Sequence, residues 1–388
     1  MLAVYLPSTL FGIGQGAVVP LVALSATELG ASVGTAALAV SVLGIGKLLG
    51  DVPAGSLAAR IGEQRAMLVA TGVAVGALGI CLAAAHVAVL CLGLCMLGTS
   101  SAVWGLARQV YLTEAVPPVR RGRALSLLGG TQRVGLVVGP LLGALVAGPL
   151  GLDAGYWVHV VAALAAAAVL AAVPERAQPG TAPPMTVGSG TVRLGGVLRE
   201  NSRVLATVGM GSLTISAVRT ARQVVVPLWA AQVGMGPAAA SALFGLSGAL
   251  ELVTVYPGGL AMDRLGRRWV ATVSMLGLGG VLLALPLATT PATLAVLASL
   301  MGLANGLSSG LNMTLGADAS PEPGRQVFLG VWRFLTDVGN GAGPAVIGAV
   351  STAVALAPAS MVMGGAAVVC VLALRRWLQV GRTDRPRS

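Results

Sequence analysis

Apolar residues run along this chain in stretches of roughly 20 or more, broken by short clusters of charge, glycine and proline, and none of the stretches has the charge density of a water-facing surface. Twelve such stretches can be traced, at 2–27, 33–58, 66–85, 88–114, 123–148, 155–173, 203–232, 237–262, 269–288, 291–316, 325–350 and 352–377. At 1.5 Å of rise per residue, each is long enough to cross an apolar layer about 30 Å thick. In lipid a helix satisfies its own backbone groups, so the pattern predicts helices packed side by side rather than several water-soluble domains. The expected fold is an all-α integral membrane protein with 12 transmembrane helices in two pseudo-symmetric six-helix bundles.

The two sets of six are separated by the one long polar stretch, rich in Pro, Gly, Thr and Arg, which reads as a linker. The expected division is an N-terminal bundle at 1–173, a cytoplasmic linker at 174–202, a C-terminal bundle at 203–377 and a cytoplasmic tail at 378–388. Composition agrees: 56% of the 388 residues are apolar and only 10% charged, against about a quarter charged in soluble domains. Met1 runs straight into the first apolar stretch, with no basic region and no small-residue cleavage site, so a removable signal peptide is not expected.

A formal charge of +11 raises the question of nucleic acid, and the placement of the bases answers it. Eighteen of the 24 Lys and Arg residues fall in alternate loops and the tail, among them Arg60, Arg121, Arg123, Arg264, Arg325, Arg375 and Arg376, while the intervening loops hold none. That asymmetry puts both termini and the linker in the cytoplasm of a plasma-membrane protein. A nucleic-acid surface would gather its bases on one face, and here they are spread over separate loops. The four cysteines, Cys81, Cys91, Cys95 and Cys370, all sit in apolar runs. Cys91 and Cys95 share a helix face without a His or acid beside them, so they read as small buried hydrophobes; no metal or cofactor is expected.

Sliding the chain on itself by 204 residues aligns Gly44 with Gly248, Pro53 with Pro257, Gly55 with Gly259, Arg60 with Arg264, Gly62 with Gly266, Arg121 with Arg325, Gly135 with Gly339, Gly139 with Gly343 and Pro140 with Pro344. Helices 1 and 7 fit less well, with Pro20 meeting Pro227 only at an offset of 207. A six-helix unit duplicated in parallel builds a central pathway between its copies, as in secondary transporters.

Within the repeat, "VPAGSLAARIGEQRA" at 52–66 answers "VYPGGLAMDRLGRRW" at 255–269. The second copy, with Gly259, Asp263, Arg264, Gly266, Arg267 and Arg268, resembles the Gly-x-Leu-x-Asp-Arg-x-Gly-Arg-Arg signature of the major facilitator superfamily, its Leu displaced by one position. The first keeps Gly55, Leu57, Arg60 and Gly62 but has Ala59 where the acid belongs. In helix 5, Gly135, Gly139, Pro140 and Gly143 resemble an element of the drug:proton antiporter branch, whose last Gly is here Ala144. That branch also carries an Arg in helix 4, and the matching position is Leu94. The resemblance spans nearly the whole chain. It implies alternating access, gating at the two signature loops, and efflux of a small drug-like or metabolite molecule in exchange for protons. The absent helix-4 Arg keeps proton-symport uptake open, and the expected unit for either is a monomer.

Six bases and three acids remain within the spans: Lys47, Arg108, Arg133, Arg219, Arg222 and Arg333, against Asp51, Glu251 and Asp337. Lipid-facing charges cost several kcal/mol each, so these should face the bundle interior. The repeat pairs Lys47 with Glu251 and Arg133 with Asp337. In the resembled fold helix 2 packs on helix 11 and helix 5 on helix 8, which predicts two inter-half pairs, Lys47–Asp337 and Arg133–Glu251. Asp51 and Arg333 are each four residues from a partner and could form intrahelical pairs with Lys47 and Asp337. Any proton carried across would ride on one of the three acids. Arg219 and Arg222 have no acid within reach on their own helix; either they bind an anionic part of the substrate or they snorkel to the outer surface. Gln15, the counterpart of Arg222 at the 207 offset, would line the same path. Trp104, Trp332 and Phe334 are candidate aromatic walls, with lipid-facing or interhelical packing as the alternative.

Other classes find little support. "GLSSG" at 306–310 matches a hydrolase nucleophile elbow, but it is expected inside helix 10 with no strand beside it. His86 and His159 lack metal-ligand spacing, and no nucleotide-binding loop occurs. A channel is disfavoured by the twofold repeat with paired charges across it.

Overall fold

The computed structural model describes residues 2–117, 121–173, 194–321 and 324–383. Twelve long helices account for most of them: α1 Leu2–Glu28, α2 Val33–Ile61, α3 Glu63–Leu82, α4 Val87–Ala115, α5 Arg121–Leu150, α6 Asp153–Ala172, α7 Ser202–Gln232, α8 Pro237–Leu265, α9 Arg267–Leu287, α10 Pro291–Ala319, α11 Arg325–Ala353 and α12 Leu356–Thr383. Eleven contain a stretch apolar and long enough to cross a membrane. The twelfth, α11, carries Arg333, Asp337 and Asn340 in its middle, with Asp337 buried, and packs on α2 and α7 as its repeat mate α5 packs on α8 and α1.

Helix ends depart from the sequence expectation where a cap or a glycine overrides hydropathy. Ser32 accepts the Thr35 amide to start α2, and Thr290 and Thr293 cap each other at the start of α10. The signature loops are tighter than expected. α2 runs to Ile61 and α8 to Leu265, so Gly55 and Arg60, and likewise Gly259, Asp263 and Arg264, are helical residues. Each turn reduces to a single glycine, Gly62 at φ +85° and Gly266 at φ +88°, a conformation in which a side chain would collide with its own backbone. Part of the expected linker is also helical, at Leu194–Glu200, as are residues 378–383 of the expected tail; residues 174–193 and 384–388 lie outside the described residues.

Within each half, glycines bring helix backbones together. A Cβ on Gly135 or Gly139 of α5 would run into the carbonyls of Thr9 or Ile13 on α1; on Gly339 or Gly343 of α11 it would meet those of Leu213 or Ala217 on α7. Every member of these pairs is related to its mate by 204. Helices α1 and α7 therefore share the common register at this depth, and the 207 offset suggested by Pro20 and Pro227 does not hold there. Gly98 on Leu43 and Gly302 on Ser247 repeat the relation between α2 and α4, and between α8 and α10.

The halves meet along two seams, α2 with α11 and α5 with α8, with α1 also touching α7 and α8. Gly34 abuts Thr352, Leu38 abuts Gly348 and Gly44 abuts Gly341 on the first seam; Gly245 abuts Leu141 and Gly248 abuts Val137 on the second. These contacts lie between mid-depth and the end opposite the basic loops. Toward the basic end the halves diverge: a Cβ on Gly55 would meet only Leu106 of its own half, and one on Gly330, Gly129 or Gly130 would meet nothing. The result is a chamber between the bundles, closed at one end and open at the other.

Candidate functional site

The depth at which the seams stop is where the membrane-embedded charges gather. On the α2–α11 seam Lys47 Nζ lies 3.1 Å from Asp337 Oδ1, and Arg333 Nε lies 3.8 Å from Asp337 Oδ2. Asp337 also accepts from Asn340 at 3.3 Å. Its side chain is 9% exposed, whereas those of Lys47 and Arg333 are 40% and 53% exposed toward the open chamber. Asp51 makes no direct ion pair among the described residues, so of the two possible intrahelical pairs only Arg333–Asp337 is present, although the charges of Lys47, Asp337 and Arg333 all act on Asp51.

The second expected pair is not made. Arg133 donates instead to the Ser309 carbonyl at 3.2 Å, and Glu251 is held by α7: Arg222 Nη2 lies 2.9 Å from one carboxylate oxygen and Arg219 Nη2 lies 3.8 Å from the other. The reason is competition. By the 204 register the N-half equivalents of Arg219 and Arg222 are Gln15 and Val18, so α1 adds no charge beside Lys47 and Asp337, while Glu251 is offered two nearer guanidinium groups on α7. Neither Arg219 nor Arg222 snorkels. Arg222 is buried, bonded to Ser247 Oγ at 3.0 Å and set over the Phe244 ring at 4.9 Å, and Arg219 Nε donates to Asn305 Oδ1 at 2.7 Å.

The same register corrects the partner of Gln15, which is Arg219 and not Arg222. Gln15 Nε2 donates to Ser101 Oγ at 2.9 Å, and Ser101 and Asn305 are also 204 apart, so the two hydrogen bonds are one interaction in two copies. In the N half the chain continues from Gln15 to Gln132 at 3.3 Å and on to Arg108. Ser101, Gln132 and Asn305, uncharged and outside the family motifs, do not stand out in the sequence as site residues. The signal that could have found them is that Ser101 and Asn305 are polar residues in apolar spans at one repeat position.

The other predicted site residues fall in three places. Trp104 is buried, stacked on Phe11 at 4.5 Å and bonded to Thr71, and Trp332 is buried with its Nε1 on the Asn312 carbonyl; both belong to the packing of a half and do not form walls. Phe334 is 59% exposed. Gly135, Gly139 and Gly143 face α1, and Pro140 is buried beside them. At the basic end Arg267 Nε binds Asp318 Oδ2 at 2.8 Å, tying α9 to α10, while Asp263, Arg264 and Arg268 are exposed. The repeat equivalents of Arg267 and Asp318 are Glu63 and Glu114, two acids that cannot form this ion pair with each other.

"GLSSG" is not inside a continuous helix, as expected, but at a break. α10 stops after Leu307, turns through Ser308–Gly310 and restarts at Leu311. The turn leaves the Ser309 carbonyl without a helical donor, and Arg133 of the other half reaches it.

A sequence model described as the Major Facilitator Superfamily matches residues 4–221 and again 208–388. No curated protein matches the chain in sequence. Among solved structures the chain is similar to the nucleoside transporter NupG, at 15% identity with a TM-score of 0.75 over 97% of this chain and 98% of that one. It is similar to a POT family transporter in complex with 5-aminolevulinic acid, at 11% identity and 0.77 over 97% and 95%. It also resembles a D-xylose-proton symporter, at 15% identity and 0.73 over 96% and 95%. At such identities the likeness is one of fold.

Proposed function

The chain belongs to the Major Facilitator Superfamily, and on that premise we propose that this multi-pass membrane transporter exports a small drug-like or metabolite molecule from the cell in exchange for protons, by alternating access. The observation that carries the reading is the position of the charges: they sit where the two seams end, so any motion that closes the open end and parts the closed one must pass through them. The excess of Arg at the open end puts that end, both termini and the linker in the cytoplasm, and the state seen is then the inward-open one.

In this state Lys47 and Asp337 hold the first seam across the halves, and Arg133 holds the second through the Ser309 carbonyl. Parting the seams separates Asp337 from Lys47. A carboxylate that loses its cation takes up a proton more readily, and one that regains it gives the proton up. That alternation couples proton movement to the swing of the halves, with Asp337 as the seam carrier and Glu251 as the acid inside the C-terminal half. The glycine contacts at Gly34, Gly44, Gly341 and Gly348 let the closed end seal backbone to backbone and release without unthreading large side chains. Export is supported by the antiporter-like helix-5 element; Leu94, buried where that branch has an Arg, favours proton-symport uptake as the second reading.

Flux in proteoliposomes tests the proposal. An imposed pH gradient should drive saturable accumulation that Asp337→Asn abolishes. Movement against the proton flow marks exchange, movement with it marks symport, and flux indifferent to the gradient would overturn proton coupling.

A further inference from the structure

The charges of the chamber do not balance, and the imbalance is local. Lys47 and Arg333 share Asp337, with Asp51 beside them, so that cluster carries two bases and two acids. Around Glu251 stand Arg222, Arg219 and Arg133, three bases to one acid, all acting on the same carboxylate. Arg108 has no acid at all among the described residues. It bonds the neutral Gln132, lies 5.5 Å from the Trp104 ring, and leaves a buried Nε without a partner.

The surplus is not spread evenly over these groups. Arg222 is committed, with one terminal nitrogen on Ser247 and the other on Glu251. Arg219 spends its Nε on Asn305 and only approaches Glu251 at 3.8 Å. α5 links the uncommitted cations on adjacent residues, Gln132 reaching Arg108 in its own half and Arg133 reaching Ser309 in the other. Buried guanidinium groups persist when an anion completes them, and their planar array of donors fits a carboxylate or phosphate.

We propose that the transported molecule is a small organic anion whose carboxylate or phosphate is bound by Arg219 and Arg133 where the halves face each other, with Arg108 behind them on Gln132. The anion supplies the charge that Glu251 leaves unmatched, and occupancy draws the N-terminal half, through Arg133, toward the α7 cations of the other half. This rests on the transport reading above.

The purified full-length protein in nanodiscs is screened by thermal shift with butyrate, benzoate, succinate and phenyl phosphate, each beside its uncharged partner butyramide, benzamide, succinamide or phenol. At least one anion should raise the melting temperature while its neutral partner does not. Arg133→Gln and Arg219→Gln should each weaken that anion about tenfold or more, a loss of about 1.4 kcal/mol, while Arg219→Lys retains part of the affinity. The unliganded Arg219→Gln protein should still unfold in one cooperative transition, because the residue becomes that of its repeat mate Gln15 and Arg222 continues to hold Glu251; this reads folding apart from binding. A panel in which no anion binds, or in which neutral partners bind as well, overturns the proposal, as does an Arg219→Gln protein that keeps its anion affinity. Gradient-driven flux of a neutral or cationic compound alone would sink the anion proposal and leave transport standing. Binding of an anion with no flux under any gradient would sink transport and leave the site.

Discussion

Replacing Glu251 by Gln tests the assignment of its partners most directly. The side chain is 18% exposed and Arg222 only 10%, so water repays little of the lost charge. Removing one member of a buried ion pair costs about 3–5 kcal/mol. Glutamine keeps one oxygen that can still accept from Arg222, and Ser247 continues to bind the same guanidinium, which brings the expected loss below that range, to about 2–3 kcal/mol. The assay is a double-mutant cycle by reversible unfolding of the purified protein in mixed micelles. Arg222→Gln in the Glu251→Gln background should recover much of the loss, giving a coupling of about 1.5 kcal/mol or more. The parallel cycle between Arg133 and Glu251 should give less than about 0.5 kcal/mol, because Arg133 bonds Ser309 and not the carboxylate. A larger coupling for Arg133 than for Arg222 would refute the arrangement and restore the pairing expected from symmetry.

Three further outcomes follow from the same geometry. Lys47→Met should cost about 1 kcal/mol or less, since its side chain is 40% exposed and the pair is partly solvated; a loss as large as that for Glu251→Gln in the same unfolding assay would show that the chamber is dry. Cysteines at Val137 and Gly248, where a Cβ on Gly248 would lie 3.3 Å from Val137 Cγ2 across the second seam, should cross-link in a background freed of the four native cysteines and stop transport until reduced; continued flux when fully cross-linked would mean that the seam does not open. Gly139→Leu should abolish folded protein, its Cβ meeting the Ile13 carbonyl, whereas Gly105→Ala, with open space around it, should be neutral or stabilising by up to about 1 kcal/mol, as read by yield and melting temperature.

The unequal signature loops also acquire a physical meaning. Only the second half joins Arg267 to Asp318, because the first has Glu63 and Glu114 at the equivalent positions. Restoring the missing acid by Ala59→Asp should shift the balance of inward- and outward-open states, as measured by cysteine accessibility along α2, and leave the range of bound compounds unchanged.

Much of this protein was legible without coordinates. Span number follows from the length of apolar runs, since a bilayer sets one thickness for all of them. The 204-residue repeat follows from glycines and prolines that a duplicated backbone must keep, and it located Lys47 opposite Asp337 once helix 2 was set against helix 11. The partner of Glu251 was not legible, although every residue concerned had been picked out. Sequence spacing reports neighbours along one helix, whereas Glu251 chooses among cations on α5 and α7, and the choice turns on which guanidinium the helix rotations bring within about 3 Å. The register of α1 against α7 was hidden for a similar reason: two prolines gave 207, while the backbone contacts of Gly135, Gly139, Gly339 and Gly343 gave 204. Hydropathy likewise cannot see the break in α10 at Ser308–Gly310, where a carbonyl is turned toward Arg133. Spans, repeat and inventory of buried charge belong to the chain by itself; which charges meet, and which end of the chamber stands open, was decided only when the helices packed.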